Sequence, residues 1–366
     1  MGSERLYGLL EKYRQGKCTQ DELGQLDSWY RQFDRQAEHI SSVPREKLDQ
    51  LFLGIENNIR HRTQHKRRGR LIRWSAAACM AVAAVIFFTI RINTPSGGYA
   101  IMPGTWKAEL ITGDGTKVHI DDLPVVEGDG TEIKNEARRG LDYRDVQAGN
   151  DAEIYHTVVV PVGSEFGVTL SDGTTVRLNS GSSLTYPRVF GPGKRKVELT
   201  GEAYFDVVPS SAAFIVNSSA VEIEVLGTSF NVSAYADDAD IITTLVSGRV
   251  SVIAGGKAHT LEPGRQLTYD RKTGRTMQQE CDPAIAVSWI EGEFKFRDMR
   301  LEDIMKKLNR WYACDVVFSD PYLKELRLSG AAEKDRPVGY VLDMIEFITD
   351  VRFSVNGNTI EVRAKK

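Results

Sequence analysis

Six histidines, His39, His61, His65, His119, His156 and His259, are the first residues to test for metal or acid–base chemistry. None of them forms an HExxH pair or a comparable ligand spacing. His61 and His65 stand four apart and would share a helix face, but they lie in a run of arginines and lysines whose charge opposes a cation. A solvated or lipid-headgroup role suits them better. Gly191-Pro-Gly-Lys194 has the composition of a phosphate loop, yet a Walker loop needs glycine where Arg188 stands, so it reads as a turn. Gly163-Ser-Glu-Phe-Gly167 puts its serine second, where a nucleophile elbow needs it third, and no GxGxxG is present. Carboxylates are abundant, but a pair does acid and base work only at a defined separation in space. No catalytic, cofactor-binding or metal residue is therefore assigned, no cofactor is expected, and the chain is expected not to be an enzyme. A glycan-active site assembled from carboxylates distant in sequence is the alternative. Of the four cysteines, Cys18, Cys79, Cys281 and Cys314, the last two are a candidate disulfide pair; free thiols at both are the other state, and spacing does not decide between them.

The elements that would position any such residues are set by one apolar run. Trp74 to Ile90 contains no charge, no proline and no glycine, and it reaches the short end, about 17 residues, of what spans a bilayer. Arg73 and Arg91 can snorkel to the two interfaces. Before the run stand Arg60, Arg62, Lys66, Arg67, Arg68, Arg70 and Arg73 without an acid among them, and only Arg91 follows closely. This collar, with Arg67, Arg68, Arg70 and Arg73 as its topology residues, predicts a single-pass inner-membrane protein with a cytoplasmic N-terminus and a periplasmic C-terminus. A buried core helix and a cleavable signal are the weaker readings, because the collar is one-sided and the run begins far from Met1. A net charge of −3 and a pI near 6.1 argue against direct nucleic-acid binding.

Ahead of the span, Leu6, Leu9, Leu10 and Tyr13 make one helical stripe, and Thr19-Gln-Asp-Glu22 reads as a capping box for the next helix. Leu23, Leu26, Trp29, Tyr30 and Phe33 form the apolar side of that helix. A third begins near Pro44 and carries Leu48, Leu51, Phe52, Ile55 and Ile59. Three short helices make a marginal core, so Trp29, Tyr30 and Phe33 either pack within the bundle or meet a partner. Beyond the span the period changes from 3.6 to 2. Asp-Gly-Thr recurs at Asp114, Asp129 and Asp172, each time near apolar alternation, which predicts tight hairpins; the first and third are candidates for a degenerate repeat. From His156 to about Met277, short strands alternate with turns in the manner of an all-β sandwich, barrel or solenoid-like stack.

Six blocks in this region, Leu170–Asn179, Ser183–Pro187, Leu199–Val207, Val225–Tyr235, Ser247–Val250 and Leu261–Gly264, resemble the FecR family of transmembrane sigma regulators, Bacteroidetes type. Each block is strand-and-turn chemistry and reads as a scaffold with no reactive group. Past Ala284 the pattern is mixed. Phe294-Lys-Phe296 is a strand, Leu301, Ile304, Met305, Leu308, Trp311 and Tyr312 stripe a helix, and Val316–Phe318 and Leu326–Ser329 are strands. Val341, Leu342, Ile345 and Ile348 stripe a second helix, before a hairpin across Asn356-Gly357. The run Trp289–Phe296, with Arg310-Trp-Tyr312 after it, resembles the C-terminal domain that accompanies the family, and the βαββαβ order, with both helices on one sheet face, is similar to the short N-terminal domains of secretins and TonB-dependent transporters.

The expected organisation is multidomain: an all-α bundle over 1–60, a basic segment over 61–73, a transmembrane helix over 74–90, a linker over 91–98, an all-β FecR-like domain over 99–280, and an α+β module over 285–366. The resemblance implies an anti-sigma factor that binds an extracytoplasmic-function sigma factor and relays a signal from the signalling domain of an outer-membrane TonB-dependent transporter, with regulatory proteases as further partners. On that reading Leu26, Trp29, Tyr30 and Phe33 are assigned to the sigma factor, and Trp311 and Tyr312 on an exposed face, with Leu326 and Leu328 on an edge strand, to transporter docking; core packing of Trp311 and Leu326 is the alternative. A membrane-tethered glycan-active enzyme and an envelope scaffold are the competing functions.

Overall fold

The structure, a computed structural model, describes Lys12 and residues 19–22, 24–25, 101–120, 124–136, 138–147 and 154–365. The expected span 74–90, the collar with Arg67, Arg68, Arg70 and Arg73, and Leu26, Trp29, Tyr30 and Phe33 lie outside the described residues. Among the described residues, no helix is long and apolar enough to cross a membrane. The capping box is present: the Thr19 amide donates to Glu22 Oε2 at 3.0 Å, and the Glu22 amide donates to Thr19 Oγ1 at 3.4 Å.

Two compact units divide the chain, Met102–Val316 with Arg327–Asp335, and Met1–Ile101 with Val317–Leu326 and Arg336–Lys366. The first holds a β sandwich. Its early strands are β1 (Thr105–Trp106), β2 (Ala108–Ile111), β3 (Lys117–Ile120), β4 (Val125–Val126), β5 (Glu132–Glu136) and β6 (Gly140–Asp142). Then follow β7 (Tyr155–Val159), β8 (Ser164–Thr169), β9 (Thr175–Leu178), β10 (Ser183–Pro187), β11 (Arg195–Asp206), β12 (Phe214–Ser218) and β13 (Val221–Val225). The series closes with β14 (Ser229–Ala234), β15 (Asp240–Ser247), β16 (Val250–Ala254), β17 (Lys257–Leu261), β18 (Arg265–Asp270) and β19 (Thr276–Glu280). One sheet runs β3-β2-β7-β10-β11-β12-β13-β16-β17. The other runs β5-β6-β8-β9-β11-β14-β15-β18-β19.

Strand β11 belongs to both sheets. Its first half pairs with β10 and β12, and from Gly201 onward it pairs with β14 and, from Ala203, with β9. Gly201 makes the bend at φ +92°, and a Cβ there would stand 2.4 Å from Ser182 Oγ. Ser182 holds the corner by accepting from the Glu202 amide at 2.8 Å and donating to the Glu202 carbonyl at 3.1 Å. Val197, Leu199, Ala203 and Phe205 alternate into one core, where Phe205 stacks on Phe230 at 5.1 Å and reaches Phe214 of β12 at 6.1 Å. Burying a side chain of this size contributes about 1.5–3 kcal/mol, which commits the strand's phase along its whole length.

After β19 come α1 (Pro283–Ala286), a 3₁₀ turn at Ser288–Glu291, β20 (Glu293–Arg300), α2 (Leu301–Tyr312) and β21 (Asp315–Phe318). A second 3₁₀ turn at Pro321–Glu325, β22 (Arg327–Glu333), α3 (Val338–Ile348), β23 (Val351–Asn356) and β24 (Thr359–Ala364) complete the chain. The helix and strand order matches the expected α+β alternation, but the single sheet does not form. Among the described residues, strands β20 and β22 pair only with each other, and β21, β24 and β23 make a separate three-stranded sheet. The reason is that β20, α2 and β22 bury their apolar residues within the first unit, so the compact units cut across the expected module 285–366. In the second unit, Val341, Leu342 and Ile345 of α3 are buried, as are Val351, Phe353, Ile360 and Val362 of the hairpin; Ile348 is exposed. Gly357 turns that hairpin at φ +61°.

Candidate functional site

Period-2 alternation sends Val176, Leu178, Ala203, Phe205, Phe230 and Val232 into the core, so Glu165, Arg177, Glu202 and Asn231 point out of the opposite face of the same sheet. In most sandwiches such a row is solvated. Here a further layer, made from the 3₁₀ turn at Ser288, β20, α2 and β22, lies across it within the same unit, and Glu202 and Asn231 are buried polar residues.

The side chains at this seam are paired one by one. Asn179 Nδ2 donates to Glu202 Oε2 at 2.8 Å, and Asn231 Nδ2 donates to Glu202 Oε1 at 3.0 Å. Asn231 Oδ1 then accepts the indole N–H of Trp289 at 3.2 Å. Lys334, only 3 % exposed, donates to Glu165 Oε2 at 2.9 Å and to the Trp289 carbonyl at 3.1 Å, with its ammonium 3.8 Å from the Trp311 ring centre. Trp311 Nε1 returns a hydrogen bond to the Lys334 carbonyl at 2.8 Å. Burial pushes the Lys334 ammonium below its ordinary range, and Glu165 pulls it back up. Arg310 lies 3.7 Å over the Tyr235 ring and donates to Asp237 at 3.0 Å and Asp238 at 2.8 Å. The Gly163 amide donates to the Arg310 carbonyl at 2.8 Å, and a Cβ on Gly104 would stand 2.9 Å from the Trp311 carbonyl. A cavity of about 30 Å³ remains between the layer and the sheet, lined by Asn179, Glu202, Tyr235, Trp289, Arg310 and Lys334 among others.

Chemically this is a set of charges and amides that hold two surfaces together. It places no nucleophile against a base. Three of the six family blocks, through Asn179, Glu202, and Asn231 with Tyr235, converge on it, so their polar members do more than build strands. Sequence reasoning passed over Glu165, Glu202, Asn231, Trp289, Arg310 and Lys334 as site residues, because alternation alone marks the outward ones as solvated and carries no sign of a covering layer. Trp311, Tyr312 and Leu328, assigned to docking, are buried, at 7 %, 3 % and 9 % exposure, which for Trp311 is the core-packing alternative. Trp311 and Tyr312 complete the same apolar stripe of α2 as Leu301, Ile304, Met305 and Leu308, which faces inward as a whole. Leu326 is half-buried. Cys281 and Cys314 are both free, and burial pushes the Cys314 thiol up to about 11.

Comparison with known proteins places two family models on the chain: FecR protein over residues 156–251, and FecR, C-terminal, over residues 293–362. Two solved structures are similar, each of a candidate anti-sigma factor from Parabacteroides distasonis ATCC 8503. The one at 1.65 Å is 27% identical with a TM-score of 0.55, covering 57% of this chain and 99% of that one. The one at 2.50 Å is 28% identical with a TM-score of 0.54, covering 58% of this chain and 100% of that one. No curated protein matches the chain.

Proposed function

The chain belongs to the FecR family, and from that premise we propose that it is a single-span inner-membrane anti-sigma factor that binds an extracytoplasmic-function sigma factor through its N-terminal helices. Its sigma-regulator role is supported by the two family matches standing in order, β domain first and C-terminal domain second, together with the likeness to candidate anti-sigma factors over more than half the chain. The single observation that carries the reading is this ordered pair of domains on one chain. Leu26, Trp29, Tyr30 and Phe33 contact the sigma factor, and the collar with Arg67, Arg68, Arg70 and Arg73 keeps that end in the cytoplasm.

On the periplasmic side the C-terminal segment receives the signalling domain of a TonB-dependent transporter. With Trp311, Tyr312 and Leu328 buried, the docking assignment rests on β22, which among the described residues pairs with β20 and with no other strand, and whose second edge would take an added strand. A small tilt of one helix offers few distinguishable states with which to transmit a signal, and the family resemblance suggests stepwise proteolysis at the periplasmic face and then within the span instead.

The test is co-purification from cells of the source organism with a tag on the full chain. A sigma subunit is expected to copurify with the full chain, to be lost when residues 1–60 are removed, and to be weakened by Trp29→Ala. Recovery of no sigma subunit with the full chain, alongside release of product from a panel of envelope glycans, would overturn the reading in favour of the enzyme.

A further inference from the structure

The layer that covers Glu202 and Asn231 is joined to the sandwich in an unusual way for a buried surface. The bonds that cross the seam are polar: Lys334 to Glu165, Arg310 to Asp237 and Asp238, Trp289 to Asn231, and the Gly163 amide to the Arg310 carbonyl. Buried charge pairs of this kind add little net stability, because water restores to each partner most of what the pair supplied.

The two sides are also self-sufficient. On the sandwich, Glu202 keeps both amides of Asn179 and Asn231, and Glu165 keeps Arg177 at 3.4 Å. On the layer, Lys334 keeps the Trp289 carbonyl and the Trp311 ring, and the Trp311 indole keeps the Lys334 carbonyl. Parting them leaves Trp289 Nε1, Asn231 Oδ1, the Arg310 side chain and carbonyl, the Gly163 amide, the two aspartates, the Lys306 ammonium 3.6 Å from Asp238, and the Glu165–Lys334 pair itself to be hydrated. The cavity of about 30 Å³ lies on the seam itself, with lining residues from both sides, and gives water a place to enter.

We propose that β20, α2 and β22, with the Ser288–Glu291 turn, form a releasable latch that opens from the sandwich as one body while the sandwich stays folded. The Glu165–Lys334 pair is its clasp, and Asn231–Trp289 and Arg310–Asp238 are its supports. Opening hydrates the clasp and uncovers Glu202 and Asn231 together with the Tyr235, Trp289 and Trp311 rings that line the seam. The opening is a property of the chain alone; its use in passing a signal rests on the regulator reading above.

Hydrogen exchange read by mass spectrometry on the full chain in detergent micelles tests this. In the unmodified chain, amides of α2 and β22 are expected to exchange at least tenfold faster than those of β11 and β14. Lys334→Ala is expected to speed α2 and β22 a further tenfold and leave β11 and β14 unchanged. The double variant E165L/K334M, which replaces the clasp with an apolar contact, is expected to slow them. Exchange of α2 and β22 at the rate of β11 and β14 in the unmodified chain would overturn the proposal, and that comparison holds even if a variant fails to fold. Equal acceleration of both sets by Lys334→Ala would overturn it too, because layer and sandwich would then be one cooperative body.

Discussion

His156 is fully buried on β7, with its Nδ1 2.9 Å from the Tyr143 hydroxyl and its Nε2 2.8 Å from Glu127 Oε1. Tyr186 closes the ring edge on, and Arg188 reaches Glu127 at 2.8 Å and Asp129 at 2.6 Å. Burial pushes the imidazole below its ordinary value, against the pull of Glu127. A base depressed in the folded state binds its proton more readily when unfolded. Its contribution is therefore whole above the unfolded value, near 6.5, and is lost as pH falls from there toward the folded value. Urea unfolding of the chain between pH 8 and pH 5 should give a stability that falls below about pH 6.5, and His156→Asn should flatten that part of the curve. A stability that rises on acidification would contradict this. Asp114 and Asp129 do not confuse the window: hydrogen bonds from Thr112 and from Arg188 respectively hold both carboxyls well below the usual range. At this scale the sequence was silent. His156 stood among six histidines without a partner, and Glu127 and Arg188 come to it only through the pairing of distant strands.

The three Asp-Gly-Thr turns show what a sequence does declare. Each glycine takes positive φ, +84°, +83° and +87°, and each aspartate accepts the amide of the threonine two residues on, at 3.0, 2.9 and 2.9 Å. Those turns were legible because their chemistry is local. The inward stripe of α2 was legible for the same reason. The bend of β11 was not, since Gly201 looks like any strand glycine until two sheets compete for the same strand. Gly201→Ala should cost about 3 kcal/mol, combining a strained positive φ with overpacking against Ser182. Thermal unfolding measures it, and a loss within experimental error would mean the corner can relax. Glu202 and Asn231 escaped notice because a two-residue period reports which face a side chain takes and nothing of what covers that face.

At the level of the whole molecule, the β character of 156–277 and the alternation beyond 293 were readable from pattern, whereas the division of the C-terminal strands between two sheets was not. Strand partners β20 and β22 are separated by a helix, a strand and a turn, so no local rule pairs them. The expected topology is a matter of the collar and the apolar run, and it predicts that a reporter fused after Lys366 is active only in the form that works in the periplasm. Activity of the cytoplasmic form at that position would reverse the assignment of both ends.

The compact units do not follow the family boundaries, and this bears on how the protein can be taken apart. A fragment begun at Glu293, where the second family match starts, would carry off α2 and β22 with the sandwich-side face of the Trp311 indole uncovered and the Lys334 ammonium parted from Glu165 and the Trp289 carbonyl. The remainder would keep Asp237 and Asp238 at an outer turn, stripped of the guanidinium that met them. Trimming to the recognised domain would thus yield two sticky pieces, and a cut ahead of Asp282 would spare the fragment its lost tryptophan turn without giving it back the sheet it rests on.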